Sequence, residues 1–196
     1  MTSALLVLRS LVCVAVPLTV LLSGGALMNK ASARVFPSEG SGAALKPLNQ
    51  RYLGYDTATV TAYFDGLGTG KGKEGERRFL EFDLVFPTVF AAALVAGLWM
   101  SAKAAGQRRP PLWAVGLIVI GLVADWTENL TQLRLLDAPL PLDDSVVNQA
   151  SSATIVKLWT ETLVIVVIAA YAVAAVRRGR RLNRPGQTQP SAPLFQ

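Results

Sequence analysis

A chain of 196 residues that is 52% hydrophobic and only 16% charged, with a mean hydropathy of +0.39, is too apolar for an ordinary soluble domain and reads as one compact membrane domain. The net charge of +6 could suit nucleic acid, but Lys and Arg gather at the ends of apolar runs and form no aromatic-interleaved patch, which argues against that partner. With no histidine and a single cysteine, Cys13, the sequence excludes His-ligated haem or zinc, Ser-His-Asp triads, Cys-His dyads and an intramolecular disulfide.

The first apolar run covers about Leu11 to Met28. Arg9 before it and Ala31-Ser32-Ala33 after it imitate a signal peptide, but the run exceeds the usual 7 to 15 apolar residues, so a retained transmembrane helix is expected. A long loop follows. Residues Ala31 to Gln50, with Pro37, Gly40, Gly42 and Pro47, read as an extended lead-in. Asp56 can then cap a short amphipathic helix with Val60, Tyr63, Phe64 and Leu67 at helical spacing, lying on the bilayer or on the bundle. The glycine-rich stretch from Gly66 to Lys73 has no phosphate-loop register, since Gly72-Lys73 is followed by Glu74 and the required first glycine falls on Leu67. It reads as a flexible turn.

Three more runs follow at about Phe79 to Met100, Leu112 to Leu133 and Ala153 to Val176, each near the roughly 20 residues that cross a hydrocarbon core. The expected fold is therefore all-α: a polytopic four-transmembrane-helix bundle over residues 1–176, with an extracytoplasmic loop at 29–78 and a basic, disordered tail at 177–196. Lys and Arg flanking the spans number nine on each side. Their density near helix ends, at Lys103 to Arg109 and Arg177 to Arg184, places both termini in the cytoplasm. The tail Arg177-Arg178-Gly179-Arg180-Arg181 suits anionic lipid headgroups. Trp99, Trp113, Trp126 and Trp159 lie toward helix ends as interfacial anchors. Pairs such as Ala92 with Ala96 and Ala93 with Gly97 offer close helix contacts and leave a homo-oligomer open.

Ionisable residues inside the apolar runs carry the functional signal: Asp83 with Glu81, Asp125 with Glu128 and Asn129, and Lys157 with Glu161. Such residues usually pair, face the bundle interior or mark a site. At a rise of about 1.5 Å per residue, Asp83 falls about 6 Å inside one face, Asp125 and Glu128 about 9 and 5 Å from that same face, and Lys157 and Glu161 about 6 and 12 Å. All five meet in one leaflet. Azimuth agrees, because Asp125, Glu128, Asn129 and Gln132 form one stripe, and Thr154, Lys157 and Glu161 form another. Pro87 crowds the carbonyl of residue 83 and removes a donor, so a local opening there frees that carbonyl. Four carboxylates against one lysine leave a negative surplus that protons or a cationic ligand would neutralise.

The series Tyr63-Phe64, Gly66-Leu67-Gly68, Phe82-Asp83-Leu84-Val85-Phe86-Pro87, Ala124-Asp125-Trp126-Thr127-Glu128-Asn129 and Lys157-Leu158-Trp159 resembles an uncharacterised bacterial family of small four-helix integral membrane proteins. Its pattern has a leucine-glycine turn, Asp-x-x-Phe-Pro, Asp-x-x-Glu-Asn and Thr-x-x-Lys, the last supplied here by Thr154 and Lys157. The resemblance covers roughly Tyr52 to Val176, departs at Gly70 to Gly75, and implies a fold and a residue set but no activity. The expected location is a bacterial inner (plasma) membrane.

Three function classes follow. The first is a one-sided intramembrane pocket of Asp83, Asp125, Glu128, Asn129, Lys157 and Glu161 that binds a proton, cation or small ligand, with no metal site assigned. The second is a scaffold whose ion pairs lock helix register. A membrane enzyme acting on a lipid headgroup comes third, since no nucleophile motif is present.

Overall fold

The computed structural model describes residues 46–68 and 70–182, together with positions 8, 12, 15 and 19. Apart from positions 12, 15 and 19, the expected first span lies outside the described residues, as does the distal tail from residue 183. Five α-helices follow a short 3₁₀ turn at Leu48–Gln50: α1 (Thr57–Leu67), α2 (Lys71–Phe82), α3 (Phe86–Ala104), α4 (Leu112–Asp137) and α5 (Asp144–Leu182). Among the described residues, three stretches are long and apolar enough to cross a membrane: Lys71–Ala104, Leu112–Asp137 and Asp144–Arg181.

Helix α1 starts where Asp56 Oδ1 accepts a hydrogen bond from the Thr59 N–H at 2.8 Å, satisfying one of the donors a helix start leaves free. Tyr55 and Val60, flanking this cap, join one apolar cluster in the manner of a hydrophobic staple. The buried face of α1, Val60, Tyr63, Phe64 and Leu67, packs with Leu48, Leu135, Leu136, Leu142 and Val147. It therefore lies on the bundle, over the end of α4 and the start of α5.

The glycine-rich stretch is shorter as a turn than its composition suggests. Lys71 already begins α2, and Gly72 packs so closely that a Cβ there would stand 1.9 Å from the Leu67 carbonyl oxygen. The second expected span, read as continuous from Phe79 to Met100, is interrupted. Asp83, Leu84 and Val85 form a tight turn between α2 and α3, with Asp83 N–H bonded to the Phe79 carbonyl at 2.9 Å and Val85 N–H to that of Phe82 at 3.0 Å. Pro87 sits in the first turn of α3, where its missing donor leaves the Asp83 carbonyl without an intrahelical partner.

Helices α3, α4 and α5 run antiparallel to their sequence neighbours. A second apolar cluster, Phe90, Leu94, Leu98, Ala114, Ile118, Val164 and Ile168, fills the half away from α1. At that far end the Gly106 and Gln107 N–H groups bond the Lys103 and Ala102 carbonyls, a Schellman closure. Arg178 Nη1 there donates to the Ala105 carbonyl at 3.1 Å, joining α5 to the end of α3. Helices α4 and α5 approach closely at Gly121, where a Cβ would come within 2.8 Å of the Thr160 hydroxyl oxygen.

Candidate functional site

Between the two apolar clusters lies a polar layer built from the turn before α3 and the facing stripes of α4 and α5. Asp83 is 1% exposed, Glu128 and Asn129 0%, Asp125 5% and Lys157 6%. The layer is closed on both sides, whereas the sequence predicts a pocket open to one face. The apolar residues of α1 and its loop supply the cover.

Lys157 is the centre of the charge pattern. Its Nζ lies 3.2 Å from Asp125 Oδ1 and forms a second ion pair with Glu128 Oε2, so one ammonium serves two carboxylates one helical turn apart. Buried charges survive only when paired and hydrogen-bonded in this way. Glu128 Oε1 also accepts from Gln132 Nε2 at 3.0 Å and from the Thr154 hydroxyl at 2.7 Å. The depths and facing stripes expected from helical rise and azimuth thus meet in actual contacts.

Asn129 spans two elements. Its Nδ2 donates to the Asp83 carbonyl at 2.9 Å and to Asp125 Oδ1 at 3.1 Å. The next carbonyl of the turn, that of Leu84, accepts from Trp126 Nε1 at 3.0 Å. Trp126, which the sequence places toward a helix end, stands mid-way along α4 (Leu112–Asp137) and secures a chain break. Pro87 frees the carbonyl of Asp83, as the sequence suggests, and a side chain of α4 takes it up.

The expected site residues are not equivalent. Asp83, Asp125, Glu128, Asn129 and Lys157 converge. Glu161 is half-buried one turn deeper and forms no hydrogen bond or ion pair among the described residues. It lines a cavity of about 10 Å³ with Pro87, Phe90, Leu94, Ile118 and Gly121, room for about one water. Glu81, grouped with Asp83 by sequence, is exposed: two residues apart on a helix means opposite faces. A larger groove of about 410 Å³ runs outside the layer between α4 and α5, lined by residues including Ile120, Val123, Thr127, Ser152 and Val156.

Tyr55 is a member of the layer that the sequence does not announce. Gly54, at φ +80, comes so close to α5 that a Cβ would meet the Ser151 hydroxyl oxygen at 2.5 Å. The neighbouring Tyr55 N–H bonds that same oxygen at 2.8 Å. Its phenol oxygen accepts from Gln132 Nε2 at 3.2 Å and lies 3.4 Å from the Thr154 hydroxyl, so the loop reaches into the layer from above. Burial pushes the Tyr55 phenol up to about 12, with the Glu128 charge adding to the effect while the Thr154 contact opposes it. Its staple position before a capping Asp is the one signal in the sequence that could have found it. A second buried acid, Glu76 of α2, is 7% exposed beneath Tyr63, whose phenol is raised by burial first and by the Glu76 charge next.

No protein-family model matches this chain, and no curated protein or solved structure matches it.

Proposed function

We propose that this is a multi-pass membrane protein whose closed polar layer is a binding site for a proton or small cationic ligand and not a catalytic centre. One observation carries the reading: Lys157 is shared between Asp125 and Glu128, yet Asp83 in the layer and Glu161 one turn deeper have no cation of their own among the described residues. A buried unpaired carboxylate is expensive, so each needs a proton or a positively charged guest. In the full proposed architecture, Leu11 to Met28 is a fourth span, both termini are cytoplasmic, and the Asp-x-x-Phe-Pro, Asp-x-x-Glu-Asn and Thr-x-x-Lys motifs are those of the four-helix family the sequence resembles. The site then lies in the outer leaflet beneath the loop that carries α1.

The scaffold reading draws support from the well-satisfied half of the layer, where Thr154, Gln132 and Lys157 leave Glu128 fully solvated by protein. Thermal unfolding in lipid nanodiscs separates the two. Wild type and the Asp83→Asn, Asp125→Asn and Glu128→Gln variants are compared across pH and with a panel of alkali cations and amines. A binding site gives wild-type midpoints that move with pH or cation and amide variants that lose the movement. Flat midpoints throughout, with function intact in all three variants, would leave the scaffold.

A further inference from the structure

Three fully buried oxygens in the layer have no hydrogen-bond partner among the described residues, Asp83 Oδ1, Asn129 Oδ1 and Glu128 Oε2; the last is met by the Lys157 ammonium as an ion pair, which leaves Asp83 Oδ1 and Asn129 Oδ1. The orientation of the Asn129 amide is fixed by its surroundings. Its nitrogen faces two acceptors, the Asp83 carbonyl and Asp125 Oδ1, and a flipped amide would set oxygen against oxygen twice. The amide oxygen must therefore point away from them and needs a donor from elsewhere. The Asp83 carboxyl, whose Oδ1 also lacks a partner, is within hydrogen-bond reach of the Asn129 side chain, on a residue Asn129 already holds through the backbone.

We infer that the ligand resident in this layer is a proton, carried by the Asp83 carboxyl and donated to the amide oxygen of Asn129. The inference rests on the binding-site reading above and names its guest. One hydrogen supplies both orphaned oxygens, because a protonated carboxyl becomes a donor. A hard cation takes six or more oxygens. Here Asp125 Oδ1 and both Glu128 carboxylate oxygens are engaged by Lys157, Asn129, Gln132 and Thr154, which leaves too few oxygens around Asp83 for such a shell. An amine needs volume, and neither Asp83 nor Asn129 lines the two cavities described above. A proton needs none.

The groups facing Asp83 are Asp125 and Glu128 from α4 and Lys157 and Glu161 from α5. The ammonium is shared by the two α4 acids. Ionising Asp83 would add a carboxylate to this set without adding a counter-ion. It would also place that charge at the turn between α2 and α3, whose two free carbonyls are tied to α4 by Asn129 and Trp126. The proton is in this sense the last pin in the joint between the broken helix and α4.

Infrared spectroscopy of the full chain in lipid bilayers, with carboxyl-labelled aspartate, tests this. Wild type at neutral pH is expected to show a protonated-carboxyl C=O band that moves with the aspartate label, shifts in D₂O, and is altered by Asn129→Leu. Asp83→Asn should abolish it and Glu161→Gln should leave it. Asp83→Asn, whose amide can donate in place of the acid, is also expected to keep the wild-type melting midpoint at neutral pH and to lose the share of any alkaline fall in midpoint that comes from ionising Asp83, while keeping the share that comes from Tyr55. A labelled band that survives Asp83→Asn overturns the assignment. If that variant does not fold, the labelled wild type decides alone, since absence of a protonated aspartate band at neutral pH overturns it too. Absence of the band together with midpoints raised by alkali cations or amines would keep the binding site and replace the proton. Absence of the band with flat midpoints would remove both.

Discussion

Asn129 donates its side-chain N–H to the main-chain carbonyl of Asp83, 46 positions earlier, at 2.9 Å. Through that bond α4 closes the gap that Pro87 opens between α2 and α3. In a membrane the alternative is an unsatisfied carbonyl in hydrocarbon, which costs several kcal/mol. Removing the donor should be costly. Asn129→Leu leaves the Asp83 carbonyl and part of Asp125 unsatisfied and is expected to destabilise by about 2–5 kcal/mol. Trp126→Phe, losing one bond at a more exposed site, should lose about 1 kcal/mol. Unfolding in mixed micelles measures both, and equal effects would show that the two bonds are interchangeable.

Lys157→Met is expected to destabilise by about 3–5 kcal/mol, because it strands two buried carboxylates. Adding Glu128→Gln or Asp125→Asn should each recover part of the loss, since Lys157 pairs with both. A double-mutant cycle checks this. Strict additivity in both cycles would show that the contacts contribute no coupling.

Close approach at Gly121 predicts a graded response. Gly121→Ala presses on the Thr160 hydroxyl, which itself bonds the Val156 and Lys157 carbonyls at 2.8 and 2.9 Å. Gly121→Val should cost about 1–3 kcal/mol as overpacking forces α4 and α5 apart. Gly116, where an added Cβ would have nothing within 4 Å, should accept alanine without loss. Melting midpoints of these variants in one detergent give the comparison.

Tyr55 predicts an alkaline transition. Its phenol is neutral in the folded chain up to about 12, against 10.0 for the ordinary group. A group with a raised folded value contributes stability that is complete below its unfolded value and is lost as pH rises. Wild type should therefore lose stability between about pH 10 and 12, and Tyr55→Phe should lack that share of the fall. The difference between the two pH profiles isolates Tyr55 from other alkaline titrations. Coincident profiles would place the phenol in solvent.

Retention of Leu11 to Met28 predicts an intact mass with no loss at Ala33. Reporter fusions at Gln196 and within Gly40 to Leu48 should show the carboxyl terminus cytoplasmic and the loop outside. A mature amino terminus at Arg34 would remove the fourth span.

Much of the site was legible without a structure, because helical rise and azimuth are local quantities. Constant rise along α4 and α5 put Asp125, Glu128 and Lys157 at one depth, and four-residue spacing put each set on one stripe. Asp56 announced the start of α1, and Pro87 announced which carbonyl would be freed. Other features depended on how the helices dock. Periodicity within a helix cannot state that Trp126 and Asn129 of α4 would collect the two loose carbonyls before α3, that one lysine would be shared by two acids, or that Tyr55 would reach Thr154 across 99 positions. Nor could it show that the loop covers the layer, leaving Glu81 outside while Asp83 is sealed within. Those outcomes follow from contacts between distant segments, whose geometry is set by the packing of whole helices and not by the spacing of residues along any one of them.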